Sequence, residues 1–173
     1  MMWLLLSIAL ADEPEQVGSM VGPEDIALLD GDLIVSAQSR RKEETAPMAD
    51  ALYRVEPDTG AVTTLTMLDR PEGLSMKPHG IALQPRSGAD GAQRLHVITK
   101  DTVPACKGQG DAIEHYTLDG DTLTFTGLTG DIKFTELNDL VVAADGRGFV
   151  MNTPSFESPW KRLRHWISRL SLI

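Results

Sequence analysis

Five polar residues stand in shared phase along this sequence: Glu24 and Asp25, then His79, then Asn138 and Asp139. Carboxylates and side-chain amides are hard oxygen donors, the kind of which calcium takes six to eight. A single imidazole among them suits general-base chemistry on water, because histidine ordinarily titrates near neutrality. A hard cation beside that base polarises an ester or lactone carbonyl and stabilises the oxyanion that forms. No cysteine and no second histidine share the phase, which argues against zinc. Taken singly, Asp25 or Asn138 equally well caps a strand or turn, and His79 after Pro78 equally well serves a structural role. The common phase is what points to hydrolysis at His79 with Ca2+ as the electrophile.

Positioning such residues requires elements that return to one place. Short apolar runs with period-two alternation cover most of the chain, among them 33–36, 51–55, 62–65 and 95–98. Between them lie turn signals: Asp30-Gly31, Asp58-Thr59-Gly60, Asp119-Gly120 and Asp145-Gly146. Self-comparison aligns Glu24-Asp25-Ile26, His79-Gly80-Ile81 and Asn138-Asp139-Leu140, each opening an apolar strand that is followed by a turn and a second strand. Those second strands are expected over 32–37, 94–99 and 147–152. Further strands are expected over 51–55 and 61–67 in the first repeat, and over 112–118 and 122–126 in the second. Ile26, Ile81 and Leu140 are 55 and 59 residues apart. A multi-stranded repeat of that length is what propeller blades have. The predicted fold is all-β, a partial six-bladed β-propeller of about two and a half blades over 12–158. The competing fold is a β-sandwich with coincidental spacing. In a propeller the first strand of each blade borders the central channel, so repeat symmetry gathers the five polar residues around one axis.

The net charge of −9 argues against nucleic acid as a partner, since phosphate contacts need clustered Lys and Arg. Cys106 is the one cysteine, so no intrachain disulfide forms. It has no His or Asp arranged to activate it. His96 and His115 fall within later strands and read as strand-surface residues.

At these motifs the sequence resembles the paraoxonase/arylesterase family, within the wider group of gluconolactonase-like (SMP-30) six-bladed propellers. The matching stretches are Gly22-Pro23-Glu24-Asp25-Ile26, Lys77-Pro78-His79-Gly80-Ile81 and Leu137-Asn138-Asp139-Leu140-Val141. The likeness runs from about Val21 to Trp160, roughly the N-terminal half of a typical member. It implies two calcium ions in the central tunnel. Glu24 and Asn138 match ligands of the catalytic ion, and Asp25 and Asp139 match ligands of the structural ion, with the Ile81 carbonyl as a further ligand. His79 matches the histidine that activates the attacking water. The implied substrates are small lactones and aryl esters. Two departures stand out. Lys100 falls where the family has a second active-site histidine, and the remaining calcium ligands belong to later blades. A sugar-lactone hydrolase or strictosidine-synthase-like propeller of the same wider group is an alternative, as is a non-catalytic half-propeller that pairs with a second copy through open blade edges.

Two terminal segments read differently. The apolar run 1–11 ends in Ala9-Leu10-Ala11, which suits a cleaved signal peptide or a short anchor, and implies a secreted or periplasmic protein. Over 159–173, Trp160, Leu163, Ile167 and Leu170 fall at helical spacing among Lys161, Arg162, Arg164 and Arg169. This predicts a basic amphipathic C-terminal helix, packed on the propeller or laid on a lipid surface.

Overall fold

Alternating apolar positions separated by tight turns give three successive up-and-down units. The computed structural model describes residues 20, 22–39, 50–86, 91–105, 108–131, 134 and 136–152. The expected segment 1–11 and the expected helix 159–173 lie outside the described residues.

The first unit holds β1 (Pro23–Leu29), β2 (Asp32–Ala37), β3 (Ala51–Glu56) and β4 (Ala61–Thr64), antiparallel in that order. The β1–β2 hairpin turns at Asp30-Gly31, where φ is +52° and +101°. Two positive φ values match the right-handed twist of the strands, and Asp-Gly takes them at low steric cost. The second unit holds β6 (Pro78–Gln84), β7 (Gln93–Ala105), β8 (Gly108–Asp119) and β9 (Thr122–Gly130), again an antiparallel meander. β5 (Thr66–Leu68) adds to it by pairing parallel with β9. The third unit is the hairpin of β10 (Leu137–Val142) and β11 (Gly148–Asn152).

The stretch 61–67, expected as one strand, divides at Leu65. The Leu65 N–H still bonds the first unit, to the Leu52 carbonyl at 2.8 Å, whereas the Thr66 N–H bonds the second, to the Asp121 carbonyl at 2.9 Å. Leu65 is buried between the two sheets, so the chain changes partner where its side chain anchors.

The apolar core is a set of seams between sheets rather than one centre. Leu29, Ile34, Leu52 and Leu65 of the first unit pack on Ile81, Leu95, Val97, Tyr116, Leu118 and Leu123 of the second. The opposite face of the second unit sends Ala82, Ile98 and Ile113 against Leu137, Leu140 and Val142 of the third. Neighbours along a strand point to opposite faces, so Val97 enters one seam and Ile98 the other. That is why β6 is buried at nearly every position. Each fully buried Val, Leu or Ile in these seams contributes about 1.5–3 kcal/mol of transfer free energy.

β1 and β10 both pack on β6, so the opening strands of all three units lie side by side. Among the described residues all regular structure is β, and none of the sheets closes on itself. Consecutive meanders packed face to face, with their first strands adjacent, are consistent with a partial β-propeller.

Candidate functional site at three strand openings

Each opening strand carries an irregularity at the same phase. The pairing register shifts between Pro23 and Asp25 in β1, between Pro78 and Ile81 in β6, and between Leu137 and Asp139 in β10. The residues inside these bulges are Glu24, His79 with Gly80, and Asn138. A bulge re-aims a side chain away from the ordinary pleat. Here three bulges turn three polar residues toward one another.

The result is a histidine held at both nitrogens. His79 Nδ1 lies 3.0 Å from Glu24 Oε2, and both side chains are largely buried. His79 Nε2 lies 3.3 Å from the Asn138 side-chain oxygen. In the neutral ring, Nδ1–H donates to the Glu24 carboxylate and Nε2 carries the basic lone pair. That tautomer requires the Asn138 amide in the orientation with its NH2, rather than Oδ1, at Nε2. A carboxylate at Nδ1 fixes the tautomer and orientation of a catalytic imidazole.

Asp25 and Asp139 repeat each other. Asp25 Oδ1 accepts the Ile26 N–H at 2.8 Å, and Asp139 Oδ1 accepts the Leu140 N–H at 2.7 Å. Position 80, in phase with both, is glycine. The Ile81 N–H is instead taken by Asp25 Oδ2, at 2.7 Å from the neighbouring unit. A Cβ at Gly80 would meet the Asn138 carbonyl oxygen at 2.8 Å and the Asp139 Cα at 3.0 Å. The absent side chain is what lets β10 approach. Ser36 ties the same region from β2, donating its hydroxyl to the His79 carbonyl.

These positions bring together all five polar residues picked out by sequence, along with Ile81. Three carboxylates and an amide side chain meet here, and oxygen donors of this kind are the ones hard cations take. Part of this donor set is used within the protein, since both Asp25 oxygens accept backbone N–H groups. Among the described residues, no group of three or more His, Cys, Asp and Glu side chains is disposed to hold a metal ion. Asn138 and the Ile81 carbonyl lie outside that residue set.

Three other polar features were not visible from the motifs. Lys100 pairs with Asp111 at 2.9 Å and donates to the Leu137 carbonyl. Arg70 makes a two-pronged pair with fully buried Glu114, 2.8 Å on each arm, and also bonds the carbonyls of Leu74 and Ser75. The Glu114 bond raises the Arg70 pKa, while burial, followed by Glu114, raises that of Tyr116. The third feature involves His96 and His115, expected as surface residues. They are half-buried, face each other at 2.7 Å between their Nδ1 atoms, and line a cavity of about 230 Å³ between the second and third units. His96 Nε2–H donates to Gln84 Oε1 at 3.3 Å, which makes its Nδ1 the acceptor from His115 Nδ1–H. His115 Nε2 then accepts from the Thr129 hydroxyl at 2.7 Å. Gln84 passes the ladder on to the Ala144 carbonyl of the third unit at 3.2 Å. A signal existed in the paired strands: once β7 and β8 form a hairpin, His96 stands opposite His115.

No protein-family model matches the sequence, and no curated protein aligns with it significantly. Among solved structures, the chain is similar to a proposed oxidoreductase (glucose dehydrogenase) of Thermus thermophilus. That similarity has a TM-score of 0.51 at 16% identity, over 83% of this chain and 41% of the other. The likeness is one of fold, and this chain spans less than half the length of the protein it resembles.

Proposed function

We propose that this chain supplies one side of a calcium-dependent hydrolase site in a six-bladed propeller of the paraoxonase/arylesterase type, acting on small lactones and aryl esters. The observation that carries the reading is His79, buried between Glu24 and Asn138 by three in-phase strand bulges. Glu24 orients the ring, and Nε2 takes a proton from the attacking water in place of its bond to the Asn138 amide. Glu24 and Asn138 would hold the catalytic ion, and Asp25, Asp139 and the Ile81 carbonyl would hold the structural one. Calcium, when bound, polarises the scissile carbonyl and stabilises the developing oxyanion. Two side chains per ion are fewer than the six to eight oxygens calcium takes, so further ligands must join them. The test is turnover of an aryl acetate and a γ-lactone by the full-length protein and its His79→Gln variant. Loss of general-base catalysis is expected to lower turnover by about 10²–10⁴-fold. Equal turnover by the two proteins overturns the role of His79.

A second reading rests on a different observation. Val141, Phe149 and Met151 are exposed on one face of the β10–β11 hairpin, with Val141 opposite Phe149 in register. That face suits a non-catalytic half-propeller pairing with a second copy. Sedimentation distinguishes the two readings: a dimer without hydrolysis favours the second.

A further inference from the structure

Lys100 and Asp111 lie on β7 and β8 of the second unit, and their bonds lead to the strand openings of two units. Lys100 Nζ donates to Asp111 Oδ2 at 2.9 Å and to the Leu137 carbonyl. The same Asp111 oxygen accepts the Leu137 N–H at 2.7 Å. One ion pair therefore satisfies both backbone groups of the residue that precedes Asn138. The Asp111 N–H also reaches the Phe134 carbonyl at 3.0 Å, gripping the segment that leads into β10. On the other side, the Lys100 N–H donates to the Lys77 carbonyl at 3.0 Å, two residues before His79. The Asp111 side chain is 7% exposed and that of Lys100 21%. In so dry a setting a charge-assisted bond is short and directional.

We infer that the Lys100–Asp111 pair is a positioning clamp that sets Asn138 against His79. It grips Leu137, where β10 begins, just ahead of the bulge that aims Asn138. It acts through the Leu137 backbone. The effect on turnover rests on the hydrolase reading above, whereas the effect on position rests on the hydrogen bonds alone.

The test is NMR of the full chain, following the Asn138 side-chain amide, the His79 ring and the Leu137 backbone amide. Lys100→Met leaves Asp111 buried without its cation and risks unfolding. Lys100→Met/Asp111→Leu removes both charges and is the decisive variant. In it, the Asn138 and His79 signals are expected to shift and the Leu137 amide to exchange at least 10-fold faster, while signals of β2 to β4 stay in place. Lys100→Arg, which keeps the charge, is expected to retain the wild-type pattern. Unchanged Asn138 and His79 signals in the double variant overturn the clamp, as do shifts spread evenly through all three units. Turnover of an aryl acetate is read separately. If the wild type is active, the double variant should lose roughly 10- to 100-fold in kcat with KM unchanged. An inactive full-length protein sinks the hydrolase reading and leaves the NMR result to decide the clamp.

Discussion

Asp25 bonds across to Ile81, accepting the N–H of a residue 56 positions later at 2.7 Å while its other oxygen accepts the Ile26 N–H at 2.8 Å. One carboxylate thus caps equivalent positions in two units. Asp139 performs the local half of the same task in the third. Gly80 is the member of the phase that lacks a side chain, and its absence makes room for β10.

Asp25→Ala is expected to destabilise the chain by about 1.5–3 kcal/mol, the range for hydrogen bonds to a charged group. Urea unfolding in the presence of chelator measures this apart from any calcium effect. A change within about 0.5 kcal/mol, typical of an unconstrained surface site, contradicts the bridging role.

Gly80→Ala places a methyl group against the Asn138 carbonyl and the Asp139 Cα. Overpacking of this kind costs about 1–3 kcal/mol. The loss should be local, with faster amide exchange in β10 and β11 than in β1 to β4. A stabilising effect contradicts the close approach of the second and third units.

Arg70→Met leaves the Glu114 carboxylate buried without its cation. Breaking a buried pair from one side costs about 3–5 kcal/mol. Arg70→Met/Glu114→Gln should recover part of that loss, and a double-variant cycle in denaturant reads the coupling. Additive losses contradict it.

Burial first, then His115 and Arg94, hold the His96 pKa down to about 4, and burial also lowers that of His115. Both rings stay neutral in the folded ladder while the unfolded chain takes up protons near pH 6.5. The unfolded state then binds more protons, so stability is full above about pH 6.5 and falls as pH drops toward 4. The range from pH 6.5 to 5 is the diagnostic one, since ordinary carboxylates titrate below it. Thermal unfolding across that range should show a steeper fall for the wild type than for His96→Leu/His115→Leu. Equal slopes contradict the ladder.

The repeat was legible because strand openings announce themselves. Ile26, Ile81 and Leu140 each follow a polar or glycine-containing pair, and β2 spans the expected Asp32–Ala37. What the linear pattern lacked was contact between strands. Nothing local marks the register shifts around Glu24, His79 and Asn138, since a bulge is defined by its partner strand. The division at Leu65 likewise arises from a seam that only the packed sheets create. Lys100 read as a departure from a family pattern, while its partner Asp111 lies eleven residues on, across a hairpin. His96 and His115 read as surface residues because each faces solvent or a second sheet according to what packs beyond it.

The measurement that tests the account most directly is the thermal unfolding midpoint of the full-length protein with calcium and with chelator, repeated for Glu24→Gln/Asn138→Leu. Ligand that binds only the folded state adds about 2.7 kcal/mol at 100 times Kd. The wild-type midpoint should rise with calcium, and that rise should shrink or vanish in the double variant. A midpoint indifferent to calcium, or one that rises equally in both proteins, contradicts a calcium site built on Glu24 and Asn138.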